Sequence, residues 1–203
     1  MGTRRLLDFF IGVFAGVILL GSPASGQHGM PPGGTLSVEK IPETKAWPRG
    51  QRELTNVNYT PWRKLCFEQS NAKTVCRTTI SASTQETGTE IIRIDLVQDK
   101  DGPGALLQVI VLPGQLLIAG VSFTVDENET IKLPFNWCFA NACIAAVPVD
   151  PRFIQTLKTG RKVKLETVDP ALLTVTATLP LDKFGGVNEG PATQMFGESL
   201  ESK

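Results

Sequence analysis

Four cysteines set in two close couples constrain the fold of this chain more than any other feature. Nine residues separate Cys66 from Cys76, and four separate Cys138 from Cys143. Between the first couple, Gln69-Ser-Asn-Ala-Lys supplies turn chemistry flanked by strand-like segments, so the two thiols face each other across a hairpin. Residues opposed at a non-hydrogen-bonded site of such a pair have Cα atoms about 4.5 Å apart, within reach of a disulfide. A link across a loop this short stabilises a fold by roughly 2 to 3 kcal/mol. A zinc site is the alternative use of four cysteines, but it requires thiolates in a reducing place and favours C-x-x-C spacing, which neither couple has. A thioredoxin-type redox pair needs that same spacing. The cysteines therefore predict two local disulfides, Cys66 with Cys76 and Cys138 with Cys143, and an oxidising destination.

The N-terminus predicts how the chain reaches one. Arg4 and Arg5 precede an apolar and glycine run from Phe9 to Leu20, and Ser22-Pro-Ala-Ser-Gly-Gln follows with small residues at a peptidase site. This reads as a signal peptide over residues 1–26. Its apolar run of roughly a dozen residues is short of the roughly 20 needed to cross a bilayer, so no transmembrane span is expected after cleavage. Residues 27–53 are rich in Pro and Gly and read as a flexible arm. Residues 54–186 carry the folded domain, and 187–203 form a polar tail expected to be flexible.

Within 54–186 short apolar runs recur between turn signals, the rhythm of an all-β protein. Trp62 to Phe67 and Thr74 to Ser81 form the stapled hairpin. Glu90 to Gln98 alternates, with Ile92, Ile94 and Leu96 on one face. Leu106 to Leu112 and Leu116 to Val125 are more continuously apolar, as in strands between packed layers. Ile131 to Leu133 stops at Pro134 and reads as an edge strand. Lys162 to Val168 and Leu172 to Leu181 are further strands. One helix is expected: Asp150 caps it, Pro151 opens it, Phe153, Ile154 and Leu157 share a face, and Gly160 ends it. The fold class that results is a two-sheet antiparallel β-sandwich with one short helix and two local disulfides.

Chemistry is sparse. His28, the sole histidine, lies in the arm, where nothing preorganises proton transfer. Asp126, Glu127 and Glu129 read as a solvated turn between strands. No nucleophile elbow, phosphate loop, zinc-protease or dinucleotide motif occurs, so neither a catalytic site, a cofactor nor a metal is expected. Lys plus Arg and Asp plus Glu number 20 each, which removes the basic footprint of a nucleic-acid binder. Lys158, Arg161, Lys162 and Lys164 form a local basic cluster, either a favourable charge at a helix end or a docking patch for an anionic partner. Trp47, Trp62 and Trp137 either mark an interface or fill the core; Trp62 and Trp137 each lie close to a cysteine and are expected to pack over the disulfides, while Trp47 lies in the arm.

In order along the chain come Trp62 to Cys66 with Cys76, Leu112-Pro-Gly-Gln-Leu-Leu-Ile-Ala-Gly-Val, the Cys138 to Cys143 couple, Phe153-Ile-Gln-Thr-Leu-Lys-Thr-Gly-Arg-Lys-Val-Lys-Leu and Leu179-Pro-Leu-Asp-Lys-Phe-Gly. Together these resemble the invasion-associated locus B proteins of alphaproteobacteria, over roughly residues 54 to 186. The resemblance implies a small exported β-sandwich module without a catalytic motif, and, in a pathogen, a role in host-cell interaction or invasion. The functional expectation is an exported envelope binding or accessory protein, whose partner is an envelope or host protein. Its rivals are a structural envelope protein that self-associates through strand edges and an envelope hydrolase whose carboxylates meet only on folding.

Overall fold

The structure is a computed structural model that describes residues 49–68, 73–99, 102 and 104–197. The signal segment expected over 1–26, His28, Trp47 and most of the arm lie outside the described residues.

Alternating apolar residues build the larger sheet. In β5 (Glu90–Asp99) Ile92, Ile94 and Leu96 face inward, and they are met by Ile80 and Ala82 of β4 (Thr74–Thr84) and by Leu107 and Val109 of β6 (Ala105–Val111). β3 (Arg63–Glu68) continues this sheet on one side and β10 (Cys143–Val149) with β9 (Phe135–Cys138) on the other. The short β2 (Val57–Tyr59) also pairs with β4. The smaller sheet is built on β11 (Lys162–Val168), whose Val163 and Leu165 are buried, between β7 (Val121–Val125) and β12 (Leu173–Pro180). β8 (Ile131–Leu133) stands at one of its edges, as Pro134 foretells. The inner faces enclose one apolar core, with Phe123, Leu133, Leu165 and Leu179 among its fully buried side chains.

Two segments extend the sandwich beyond the expected boundaries. β1 (Gly50–Glu53), assigned by sequence to the arm, pairs parallel with β12. Past Gly186, where a polar tail is expected, the helix α2 (Phe184–Glu189) continues, and β13 (Gln194–Phe196) pairs parallel with β3. The antiparallel sandwich thus gains one parallel strand at an edge of each sheet. These segments are held by backbone pairing and specific polar contacts rather than by apolar periodicity. Asn188 is buried, and its Nδ2 donates to Thr78 Oγ1 at 3.0 Å and Gln98 Oε1 at 2.7 Å. Lys64 Nζ donates to the carbonyls of Asn188 and Gly190 at 2.8 and 3.0 Å.

The predicted helix forms as α1 (Pro151–Thr159). Asp150 accepts from the Phe153 amide at 2.8 Å, and Ile154 and Leu157 are buried. Gly160 ends it in a tight place, since a Cβ there would lie 2.5 Å from Val125 Cγ1.

Two expectations require correction. Leu116 to Val125 is not one strand: residues 117–119 form a 3-10 turn, and β7 begins only at Val121. Gly120, with φ of 60°, turns the chain there, which leaves Leu117 and Ile118 exposed. The tryptophans also differ from expectation. Trp62 is buried in the core edge-to-face with Phe184, ring centroids 4.9 Å apart, and its Nε1 donates to Pro180 O at 2.9 Å. Trp137 is on the surface.

Candidate binding surface

The two disulfides are formed as the spacing predicts. Cys66 stands opposite Cys76 on β3 and β4, and Cys138 opposite Cys143 on β9 and β10, with Cα atoms 4.0 Å apart in each. Their surroundings differ. Cys66 and Cys76 are both buried, whereas the second link joins a buried Cys143 to an exposed Cys138 on the edge strand. The first staples the interior of a sheet and the second fixes its rim.

That rim is shaped by a β-bulge. Register shifts between Ile144 and Ala145, so that Phe135 stands opposite Ala145 and Trp137 opposite Ile144, with Asn136 as the extra residue. Asn136 Oδ1 accepts from the Ala146 amide at 2.8 Å, an amide that also reaches Pro134 O at 3.2 Å. The extra residue reverses the alternation: Phe135 packs on the core, and Trp137 turns to the outer face. Trp137 is 53% exposed, and Phe139, just beyond the disulfide, is 59% exposed.

Cross-strand neighbours share a face of the sheet, so the outer row starting at Trp137 continues through Ile144 and Ile110 to Arg93. Arg93 is anchored there, with its Nε 3.3 Å from Asp95 Oδ2 and a terminal nitrogen 3.1 Å from Glu90. Asp95 is only 1% exposed, accepts from Thr79 Oγ1, and lies 3.7 Å from Arg77. The result is an aromatic and aliphatic strip ending in a guanidinium, and tryptophan and arginine are among the residue types that dominate protein-binding energetics. The bulge and the cross-sheet row are properties of register and leave no local mark in the sequence.

The basic cluster is divided by the fold. Lys158 Nζ is bound to Glu189 Oε1 at 2.9 Å, joining α1 to α2, and this bond with the accompanying charge holds the Glu189 carboxyl below its usual range. Lys162 and Lys164 share the outer face of the smaller sheet, Lys164 lying 3.3 Å from Glu166. Arg161 and Lys162 donate their backbone amides to the Asp126 carboxylate at 3.1 to 3.3 Å. Asp126 thereby serves the chain itself. Among the described residues no cluster of three or more histidine, cysteine or acidic side chains is placed to hold a metal, and no helix is long and apolar enough to cross a membrane.

The model of the family described as invasion associated locus B (IalB) protein matches residues 62–192, well over half of the chain. The chain belongs to the invasion associated locus B family. The matched span includes α2 and both disulfides of this family member. Invasion protein B homologues of Brucella abortus, from strain 2308 and from biovar 1 strain 9-941, are each 27% identical over 119 residues, covering 58% of this chain and 67% of theirs. The crystal structure of invasion associated protein B from Bartonella henselae is similar with a TM-score of 0.56 at 21% identity, over 64% of this chain and 90% of that one. This last likeness is one of fold.

Proposed function

We propose that this protein is exported to the bacterial cell envelope and acts there as a binding or accessory protein, not as an enzyme, docking a protein partner through the Trp137 edge of its larger sheet. The observation that carries the reading is the bulge at Asn136, which turns a tryptophan to solvent on a rim stapled by Cys138–Cys143. The bulge and the disulfide pin the backbone that carries this aromatic, which reduces the ordering cost of binding. Export is supported by the signal-like residues 1–26 and by disulfides, which persist in oxidising compartments. Arg161, Lys162 and Lys164, on the smaller sheet and the turn before it, offer a separate contact for an acidic partner. The relatives are named for invasion, and in a pathogen the partner would be a host-surface protein.

Self-association through strand edges fits less well. The edge strands β9 and β13 are four and three residues long, and β9 is bulged, features that blunt edge-to-edge pairing. Crosslinking in the native cell from a photoreactive group at Phe139 should capture a discrete protein, and Trp137→Ala should lower that partner's affinity by about 2 kcal/mol, near thirtyfold. Because Trp137 is a surface residue, the same substitution should change stability by no more than about 0.5 kcal/mol. Capture unaffected by Trp137→Ala refutes the site. Recovery of the chain in the cytosol with alkylatable thiols refutes export.

A further inference from the structure

The four most exposed large apolar side chains among the described residues are Ile118, Phe139, Trp137 and Leu117, at 77%, 59%, 53% and 51%. They gather along one side of the sandwich. β8 and β9 are edge strands of the two sheets, and one follows the other through Pro134, which is itself exposed. The 3-10 turn Leu117–Ala119 lies against that junction: Leu117, Ile118 and Pro134 line one depression, and a Cβ on Gly120 would stand 2.6 Å from Leu133 O.

This side carries almost no charge. Residues 112–125 and 133–149 contain no Asp, Glu, Lys or Arg. The acidic turn at Asp126, Glu127 and Glu129 lies at the far end of β7, since it is Val121 that pairs with Leu133. Lys132 borders the 3-10 turn, and its Nζ donates to Ala119 O at 3.3 Å. The turn also closes on its own backbone. The Leu116 amide donates to Val168 O at 2.8 Å, that of Ala119 to Leu116 O at 3.0 Å and that of Gly120 to Leu117 O at 3.2 Å.

We infer that this edge rests on a lipid surface. Leu117 and Ile118 enter the upper acyl chains, Trp137 and Phe139 stay at headgroup level, and the Lys132 ammonium reaches out to the phosphates. Two features select lipid over a protein partner for the turn. Hydrocarbon offers no hydrogen bonds, so a loop that enters it must be free of charge and pair its amides internally, as this one does. A protein interface surrounds its apolar centre with polar and charged side chains, and the two segments supply no charged ones. The lipid contact goes beyond the docking of a protein on the strip from Trp137 to Arg93, and it is centred on the turn instead.

Oxidised protein, processed as the native cell delivers it, is sedimented with sucrose-loaded phosphatidylcholine vesicles at low and at high salt. Binding should rise with lipid concentration and change less than about twofold with salt, because the contact is apolar rather than ionic. Ile118→Asp should lower the partition coefficient about tenfold or more, and Leu117→Ser about threefold or more. Ile118→Trp should raise it, since tryptophan favours the membrane interface. Trp137→Ala should lower it by no more than about threefold, so that loss of protein docking and loss of lipid contact are separate results. Absence of binding to vesicles overturns the proposal, as does binding that Ile118→Asp leaves unchanged. A dimer seen by light scattering and dissolved by Ile118→Asp would assign the turn to a second copy of the chain and also overturns it. Ile118→Asp should leave capture of a protein from position 139 intact; if that capture is lost, the turn belongs to the protein interface and the lipid contact is refuted.

Discussion

Gly120 shows how one residue shapes the surface of this protein. Its φ of 60° lies in the left-handed region, and a Cβ built on it would stand 2.6 Å from the carbonyl oxygen of Leu133, at the end of the edge strand β8. Backbone conformation and close approach therefore both require glycine. Gly120→Ala should lower stability by about 2 kcal/mol or more, read as an earlier urea midpoint with an unchanged slope. A variant with the parent's midpoint would mean that the turn relaxes freely. Asp95 makes a different point at the same scale. Its carboxylate is almost wholly covered, yet it lies on the outer side of the sheet, where Arg77, Arg93 and Thr79 enclose it. The alternation of β5 places Asp95 on the face opposite Ile94 and Leu96 but does not reveal its burial, because the cover comes from neighbouring strands.

Between elements, the α1–α2 contact carries a charge whose titration can be followed. Glu189 is exposed, and its carboxyl is held low first by the hydrogen bond from Lys158 and then by the ammonium charge. A carboxyl depressed in the folded state favours folding above the ordinary glutamate range, and that contribution is lost as pH falls through the lowered value. Hydrogen-exchange protection of α2 should therefore decrease on acidification below about pH 4 in the parent, and the decrease should be smaller in Lys158→Met, where the bond is already absent. Equal acid sensitivity of the two would remove the ion pair from the account. The elements most legible in sequence were those with a local reason to form. β5 and β11 alternate, β8 stops at a proline, and α1 has Asp150 and Pro151 at its start. Leu116 to Ile118 looked like a buried strand, since an apolar run carries no mark of exposure. The disulfide of the rim is legible from spacing, but the outward aim of Trp137 is not, because it depends on a bulge of β9 against a partner strand.

At the scale of the whole molecule, the ends of the described chain complete the sheets. Gly50 pairs with Leu173 and Gln194 with Leu65, in parallel registers whose connections run through the body of the domain. Parallel neighbours need a long crossover, so no local pattern announces them, and a boundary drawn at residues 54 and 186 cuts both. The cost of the C-terminal cut follows from what it removes. Without residues beyond Gly186, Thr78 and Gln98 lose the Asn188 amide, Lys64 loses two carbonyl acceptors, and Phe67 loses the ring of Phe196 stacked on it at 4.9 Å. Each such hydrogen bond contributes about 0.5 to 1.5 kcal/mol, against a total stability of roughly 5 to 15 kcal/mol for a domain. A chain ending at Gly186 should therefore unfold at a markedly lower urea concentration than the full chain, with both disulfides still formed. The staples lie within β3–β4 and β9–β10 and do not bridge to the lost segment. If the shortened chain keeps the parent's midpoint, α2 and β13 are attached to the sandwich without supporting it, and the limits of the domain return to those that apolar periodicity alone would draw.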